Sequence, residues 1–450
     1  MASVAILGGG ISGLIAGYLL DKAGIPFTLF EAESVVGGKI RTTLANGFLV
    51  EHGPNSLQST TPLLNQLIEE TGLNNARVFA SSKAKKRFVV RGGTPHALPM
   101  SPPALLRSRF FSISTKLGLL KEPFKSKRKD AGEESVAAFF KRRLGQEILD
   151  YAVDPFVTGI FAGDPAALSL QHAFPTLHNL EQKHGSLLKG LRASRQSAHD
   201  IQPTKRMIFS FTEGMQMLPH ALAAPIKSSI KLNCRISRVT LQQGKWTVTT
   251  DQGHAKAFDA VLNTLPLPAA LPCFTGLPID LQPFARVTYP PVTVFALGFH
   301  KEDVQHPLDG FGMLVPGKEM GARILGTIFS SMVFPNRAPN GQVLLTTLVG
   351  GARKGDLCGL DDGLILDFVL DDLHHMLGVS GNPVFTKLIP WPNAIPQYNM
   401  GYGRVKELIA SLEDSYPGLF FAGNYKNGIS VGDAAKSGEA AAQQIIRHFA

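Results

Sequence analysis

A glycine-rich turn lies close to the first residue of this chain and limits the folds that the chain can adopt. The apolar run 4–7 predicts a short buried strand, and residues 14–22 after the turn have the pattern of a helix. Residues 26–30 predict a second strand, which completes a strand–helix–strand unit. The turn satisfies the pattern GxGxxG with the residues Gly8, Gly9, Gly10, Ile11, Ser12 and Gly13. This unit predicts an α/β fold with a Rossmann-like dinucleotide-binding domain.

A carboxylate follows the second predicted strand at the position expected for a nucleotide site. Glu31 lies 21 positions after Gly10, where a carboxylate binds the ribose hydroxyls of an adenosine. The alternative is an ordinary glycine turn with a solvent-facing Glu31. Two further loop segments, 37–42 and 53–56, follow directly and favour an extended, buried cofactor such as FAD over an exchangeable nicotinamide. Residues 418–432 again place a strand, a glycine loop and a helix start together, so both chain ends are predicted to build one site.

The composition narrows the class of protein. The 450 residues allow two or three domains, and 44% hydrophobic with 18% charged residues is typical of an ordered globular chain. The net charge of +10 favours anionic partners. The three cysteines, Cys234, Cys273 and Cys358, are widely spaced, which argues against a disulfide framework or a metal site. Residues 4–20 are uncharged but rich in glycine, so we expect neither a signal peptide nor a membrane span there, and no transit peptide.

Along the rest of the chain, the predicted secondary structure changes twice. From residue 81 to about 200 it has helical patches rich in Lys and Arg, and β-like segments return after residue 230. The predicted strands are 230–240, 245–250, 260–263, 293–299, 324–329, 343–349 and 419–422. A helix is predicted from about 434 to 449.

Several segments carry motifs beyond the glycine blocks. They are 86–91, 154–159, 163–165, 329–332, 334–339 and 349–351. With the glycine blocks, they resemble the oxygen-dependent, FAD-containing protoporphyrinogen oxidases, within the superfamily of monoamine oxidases and phytoene desaturases. The resemblance covers almost all 450 residues and is closer to the plant mitochondrial type than to the animal type.

The resemblance implies three parts of the chain. It implies a Rossmann-like FAD-binding domain built from residues 1–78, 232–268 and 404–450. It implies a mixed β-sheet substrate domain from 79–92, 200–231 and 269–403. Residues 93–199 would form a helical, membrane-facing domain.

The resemblance also implies which residues hold FAD. They are Gly8, Gly9, Gly10, Ile11, Ser12, Gly13, Glu31, Ala32, Gly38, Lys39, Gly53, Pro54, Asn55, Ser56, Ile236, Asn424, Ile429, Ser430 and Val431. Asn55 is in addition the candidate catalytic residue, since it would orient the reacting groups beside the flavin. FAD would bind non-covalently, because Ser437 and Gly438 occupy the stretch where related amine oxidases carry a tethering cysteine. Asp433 departs from the plant pattern, which has Lys there.

The candidate substrate residues are implied in the same way. Arg87 matches the family arginine that pairs with a propionate of the tetrapyrrole, and a guanidinium fork suits a carboxylate. The alternative is a solvated member of the basic run 83–87. The other substrate residues are Gly159, Leu314, Ile328 and Leu348, of which Leu348 stands where Phe is usual.

The implied function is oxidation of protoporphyrinogen IX to protoporphyrin IX in haem or porphyrin biosynthesis. Flavin would take hydride from a meso carbon and O₂ would reoxidise it to give H₂O₂, with six electrons removed in three rounds. One alternative is oxidation of coproporphyrinogen III, whose four carboxylates demand more cations in the pocket. Others are a flavin amine oxidase or desaturase, and a basic flavoprotein without turnover.

A basic segment, residues 105–129, suggests a further partner. Its eight Lys and Arg residues alternate with Leu, Ile and Phe, as in a helix that lies on an anionic bilayer. The alternative is a helix packed on its own domain with a solvated basic face. Nucleic acid is not expected as a partner, since no nucleic-acid-binding motif accompanies the charge. We expect a peripheral protein on the cytoplasmic side of the inner membrane, or else a soluble cytoplasmic one, and a homodimer is a further expectation.

Overall fold

The structure is a computed structural model that describes residues 3–58, 61–128, 132–197, 207–319 and 321–450. Its strands are β1 (Val4–Leu7), β2 (Phe27–Phe30), β3 (Thr42–Ala45), β4 (Phe48–Glu51), β5 (Leu57–Gln58), β6 (Arg77–Phe79), β7 (Lys86–Arg91), β8 (Thr94–Ala97), β9 (Ile208–Phe211), β10 (Ile230–Lys231), β11 (Ile236–Gln242), β12 (Lys245–Thr250), β13 (Ala255–Phe258), β14 (Ala260–Asn263), β15 (Val292–His300), β16 (Gly310–Leu314), β17 (Ile324–Ile328), β18 (Gln342–Gly350), β19 (Phe385–Trp391) and β20 (Leu419–Phe421). Its helices are α1 (Ile11–Lys22), α2 (Pro62–Glu70), α3 (Pro102–Arg107), α4 (Ile113–Leu120), α5 (Val136–Leu144), α6 (Gln146–Ile148), α7 (Asp154–Phe161), α8 (Leu170–Ala173), α9 (Pro175–His184), α10 (Leu187–Ser197), α11 (Met217–Ala223), α12 (Leu267–Ala270), α13 (Gln282–Ala285), α14 (Ser330–Val333), α15 (Gly351–Lys354), α16 (Asp362–Leu377), α17 (Gly403–Ser415) and α18 (Val431–Phe449).

A parallel sheet with the order β10-β2-β1-β14-β20 joins the two ends of the chain. Alternate residues of β1 enter different apolar clusters: Ala5 and Leu7 pack in one, Val4 and Ile6 in the other. A parallel sheet covered on both faces needs such uniformly apolar strands. The predicted opening strand–helix–strand unit is therefore confirmed, with α1 beginning at Ile11 instead of residue 14.

The segment predicted as one strand over 230–240 is two strands in different sheets. β10 pairs with β2 in the parallel sheet, and β11 begins the antiparallel sheet β11-β12-β13. The chain turns between them at Asn233, whose φ of +52° is unusual for a residue other than glycine. Residues 230–231, which the resemblance placed in the substrate domain, thus lie at the edge of the parallel sheet.

A seven-stranded mixed sheet forms the second large unit, with the order β19-β15-β18-β17-β16-β7-β8. β7 and β16 run parallel, and the other neighbours run antiparallel. One face of this sheet packs against α16 through an apolar cluster that includes Phe88, Met313 and Val369. The α/β class with a mixed sheet, predicted from the sequence, is confirmed.

The basic segment 105–129 is not one continuous helix. α3 ends at Arg107 and α4 begins at Ile113, because Ser112 caps α4 by accepting the N–H of Thr115. Phe110 and Phe111 between them are buried in the core. Lys129 lies outside the described residues. Within those residues, no helix combines the length and apolar character needed to cross a membrane.

Candidate active site

The glycine turn at the end of β1 is shaped by close backbone contacts. A Cβ at Gly13 would lie 2.1 Å from the carbonyl oxygen of Gly8, so only glycine fits there. A Cβ at Gly10, by contrast, would have no atom within 4 Å, although Gly10 is the N-cap residue of α1. This open space lies in front of a helix N-terminus, where a pyrophosphate is favoured by free N–H groups and the helix dipole.

Glu31 lies beside this turn and is 8% exposed. The Gly9 N–H donates to Glu31 Oε2 at 2.8 Å, and the Glu33 N–H donates to Oε1 at 2.9 Å. The Cys234 N–H donates to the carbonyl oxygen of Glu31 at 2.8 Å, which brings the start of β11 and buried Ile236 to the same place. Glu31 therefore has the position expected of a ribose-binding carboxylate, with lone pairs left for a ligand.

The second and third glycine segments meet the first. The Gly37 N–H donates to the carbonyl oxygen of Gly9 at 2.8 Å, and a Cβ at Gly53 would lie 2.4 Å from the carbonyl oxygen of Lys39. Asn55 is half-buried, and its Nδ2 donates to the carbonyl oxygen of Gly53 at 3.1 Å. The loops 8–13, 37–39 and 53–56 thus form one continuous backbone cradle.

The C-terminal helix completes this cradle. Ser12 Oγ donates to the carbonyl oxygen of Ala434 at 2.7 Å, and a Cβ at Gly438 would lie 2.3 Å from the carbonyl oxygen of Ser12. α18 consequently packs directly on α1, and Asn424, Ile429 and Val431 are half-buried near their junction. The two chain ends are brought together as the sequence predicts.

The candidate substrate residues lie on one face of the mixed sheet. Cross-strand pairing joins Leu314 to Gly326 and Gly326 to Leu348, so Leu314 and Leu348 flank a position without a side chain. Ile328, two residues along β17, shares this face. All three side chains are half-buried, whereas Met313 and Val349 on the opposite face are core residues. A Cβ at Gly159 of α7 would lie 2.6 Å from Leu314 Cδ2, which places Gly159 beside the same apolar surface.

Arg87 occupies another part of this face. Its guanidinium lies 4.2 Å from the centre of the Phe311 ring, and Nη1 donates to the carbonyl oxygen of Ala84 at 2.9 Å. Nε and Nη2 have no partner in the part of the chain that the structure describes, and partial burial lowers the pKa of Arg87. Lys86, in contrast, pairs with Asp309. Arg87 is therefore a half-buried cation that retains free N–H groups for an anion.

Comparison with known proteins identifies the family to which this chain belongs. The model of the flavin-containing amine oxidoreductases matches residues 11–446. The chain belongs to this family. It is 37% identical to the mitochondrial protoporphyrinogen oxidase of Nicotiana tabacum, over 99% of this chain and 95% of the relative. It is 28% identical to the coproporphyrinogen III oxidase of Bacillus subtilis, over 99% and 98%. The fold matches a crystal structure from Exiguobacterium sp., provisionally assigned as a protoporphyrinogen oxidase, with TM-score 0.85, 24% identity and 99% of both chains covered.

The resemblance inferred from the sequence is thereby confirmed, and the chain is an FAD-dependent oxidoreductase. The open space at Gly10 and the carboxylate of Glu31 fit the pyrophosphate and ribose of FAD. The contacts of individual residues with FAD, and the role of Asn55, stay predictions.

Lys39, which the resemblance assigns to FAD binding, makes contacts that the sequence did not predict. Its Nζ donates to the carbonyl oxygens of Asn393 and Ala394, both at 2.6 Å, and burial lowers its pKa to about 8. The neighbouring Trp391 donates through Nε1 to the carbonyl oxygen of His52 at 2.7 Å. These bonds fasten the loops that contain Lys39 and His52 to the end of β19 and the residues just after it.

Two further residues near the C-terminal loop have structural roles that the sequence analysis did not predict. Tyr398 accepts the N–H of Gly428 at 2.8 Å and donates to the carbonyl oxygen of Asn424, which fixes the predicted flavin loop. The only signal for it was the aromatic and proline-rich stretch 391–398. Asp433, which departs from the plant pattern, forms a capping box with Ser430 at the start of α18. Its charge therefore has a local structural role.

Proposed function

We propose that this chain oxidises protoporphyrinogen IX to protoporphyrin IX, with O₂ as the electron acceptor. The observation that carries the proposal is Arg87, a half-buried cation with free N–H groups at the edge of an apolar sheet face. A tetrapyrrole needs this combination, because its macrocycle is large and apolar while its propionates are anionic. The names of the plant relatives support the same substrate.

The residues of the chain would bind and orient the macrocycle. Arg87 would pair with a propionate, and Leu314, Ile328 and Leu348 would contact the flat face of the rings. Asn55, on the flavin side, would help to position the reacting edge. Bound FAD supplies the redox chemistry, as acceptor of hydride and donor of electrons to O₂. The protein then has to hold the substrate close to the cofactor and keep water away.

The second candidate substrate is coproporphyrinogen III, which is favoured by the name of the Bacillus relative. Its four carboxylates would need additional unpaired cations around the cleft. Arg353, near α7, has its charge balanced by Asp154. Arg353 therefore offers no unpaired charge for an additional carboxylate, which favours the substrate with fewer carboxylates.

Anaerobic mixing of the purified flavoprotein with each porphyrinogen tests the proposal. We expect rapid bleaching of the flavin absorbance and appearance of porphyrin fluorescence with protoporphyrinogen IX, and a slower reaction with coproporphyrinogen III. Admission of O₂ should restore the oxidised flavin spectrum and give H₂O₂. Flavin bleached by an amine, but by neither porphyrinogen, would overturn the proposal in favour of an amine oxidase.

We further propose that the helical region 93–199 docks peripherally on an anionic membrane, at the cytoplasmic face of the inner membrane. On α4, Ile113, Leu117 and Leu120 are 76%, 54% and 63% exposed, and their spacing places them on one face. Phe124, just beyond α4, is 87% exposed. Lys121 and Lys127 are exposed beside them. An exposed apolar stripe with adjacent lysines suits a bilayer of anionic lipids.

The double variant Leu117→Gln/Leu120→Gln should bind vesicles containing anionic phospholipid at least about tenfold more weakly, since each buried Leu contributes roughly 1.5–3 kcal/mol. Vesicle co-sedimentation measures this. Leu364→Gln, at a 43% exposed position on α16, is the matched control and should bind normally. If the wild type, the double variant and Leu364→Gln bind vesicles equally, α4 is an ordinary solvated surface and the docking proposal fails.

A further inference from the structure

We infer that the exposed apolar face of α7, formed by Phe156 and Ile160, is a specificity-determining wall of the substrate cleft. It would contact the edge of the macrocycle that carries no carboxylate. This inference rests on the proposed porphyrinogen oxidation and names a feature of the substrate that the cleft selects.

The polar face of α7 is held to the mixed sheet by Arg353. Arg353 Nη1 donates to Asp154 Oδ1, and Nη2 donates to Thr158 Oγ1 at 2.8 Å. The Gly317 N–H also donates to Asp154, at 2.6 Å, and the Ala352 N–H donates to the carbonyl oxygen of Ala162 at 2.7 Å. The helix is therefore fixed at both ends, and its rotation about its own axis is set.

The other face of α7 points away from these bonds. Positions 156 and 160 lie about 200° around the helix from 154 and 158, at 100° per residue. Phe156 is 48% exposed and Ile160 is 41% exposed. Gly159 belongs to the same side, and a Cβ there would meet Leu314. The Phe156 ring lies 6.2 Å from that of Phe174 on one side. Much of the surface of Phe156 and Ile160 thus stays uncovered, on the side of α7 where Gly159 meets Leu314.

The face of the mixed sheet that carries the candidate substrate residues consequently has two chemically different ends. Arg87 and Phe311 mark the cationic end, and Leu314, three residues along β16, marks the end next to α7. Leu314 pairs with Val89, two residues beyond Arg87 on β7, so at about 3.3 Å per residue the two positions are roughly 7 Å apart along the strand, within the span of a tetrapyrrole. The side chains at the α7 end, Leu314, Leu348, Phe156 and Ile160, carry no charge.

This pattern matches a macrocycle with carboxylates on one edge. Protoporphyrinogen IX has two propionates on adjacent rings, and its remaining edge bears methyl and vinyl groups. Coproporphyrinogen III carries propionates on all four rings, so two carboxylates would be placed against Phe156 and Ile160. An anion desolvated against an apolar wall without a partner is strongly disfavoured. The wall would therefore discriminate between the two substrates.

The test compares kcat/KM for the two porphyrinogens in Phe156→Arg and Ile160→Arg. Each variant should lower the ratio of protoporphyrinogen IX to coproporphyrinogen III by about tenfold or more, because the new cation pairs with the carboxylates of the latter. The ratio of Kd values for protoporphyrin IX and coproporphyrin III, from porphyrin fluorescence, should shift in the same direction. Phe156→Leu and Ile160→Leu should keep the wild-type ratio. Leu364→Arg, at an exposed apolar site on α16, is the matched control and should also keep it.

The possible failures are distinguishable. If the wild type oxidises neither porphyrinogen, the proposed function fails. If it oxidises them and the arginine variants keep the wild-type ratios, the wall is not where we place it. Weakened vesicle binding with unchanged ratios would assign this face to the membrane and overturn the inference. If the arginine variants lose their flavin, Ile160→Gln decides, since a smaller shift in the same direction is expected and an unchanged ratio refutes the inference.

Discussion

Replacement of Gly10 by Val is expected to abolish FAD retention while the chain stays folded. A side chain at this position meets no protein atom within 4 Å, and the backbone there has an ordinary φ of −72°. The added methyl groups would instead fill the space that the pyrophosphate of FAD needs. The purified variant should be colourless, with a far-ultraviolet circular dichroism spectrum like that of the wild type stripped of flavin.

Two control variants test whether the loss of FAD is specific to Gly10. Gly359→Val places the same side chain at another glycine with no atom within 4 Å, and it should retain a full complement of flavin. Gly13→Ala should fail differently, because its Cβ would collide with the carbonyl oxygen of Gly8 and destabilise the turn itself. Normal flavin absorbance in folded Gly10→Val would reject the assignment of this turn as the pyrophosphate site.

The second large effect is expected at Arg87. Removal of a charge-assisted hydrogen bond costs about 1.5–3 kcal/mol, so Arg87→Ala should lower kcat/KM for protoporphyrinogen IX by roughly 10- to 150-fold. Arg87→Lys should show an intermediate loss, since an ammonium lacks the planar fork of a guanidinium. Flavin content should not change in either variant. Steady-state porphyrin fluorescence gives the rates, and the flavin absorbance gives the content.

The control for Arg87 is its exposed neighbour Lys85. Lys85→Ala removes one charge from the same basic run and should leave kcat/KM nearly unchanged. A substrate diester without free carboxylates should react poorly with the wild type and lose little more in Arg87→Ala. Equal kcat/KM of wild type and Arg87→Ala on the free acid would make Arg87 part of an ordinary basic surface.

Much of the nucleotide half was predictable because its signals are local. β1, the glycine turn and β2 lie within the first 30 residues, and their apolar pattern and glycine spacing act through neighbours in sequence. The strands β12, β14 and β18 were also placed within one or two residues. The prediction was less accurate where a turn or a helix cap lies within a continuous apolar or basic stretch. The single strand expected over 230–240 is broken at Asn233, and the single helix expected over 105–129 is interrupted before the Ser112 cap.

The fold class and the cofactor type could be read from the amino-acid sequence alone. Glycine spacing and a carboxylate after the second strand depend on steric and hydrogen-bonding rules that act over a few residues. The motifs shared with the family supplied the prediction that Arg87 and Gly159 bind substrate.

The way in which distant segments meet became visible in the three-dimensional structure. It packs α18 on α1, fastens Lys39 to Asn393 and Ala394, and sets Leu314 and Leu348 on either side of Gly326. It also turns Phe156 and Ile160 outward, because Arg353 holds the opposite face of α7. Each of these contacts joins residues far apart in the chain. Such contacts depend on how whole sheets and helices pack together, and local sequence patterns carry little information about that packing.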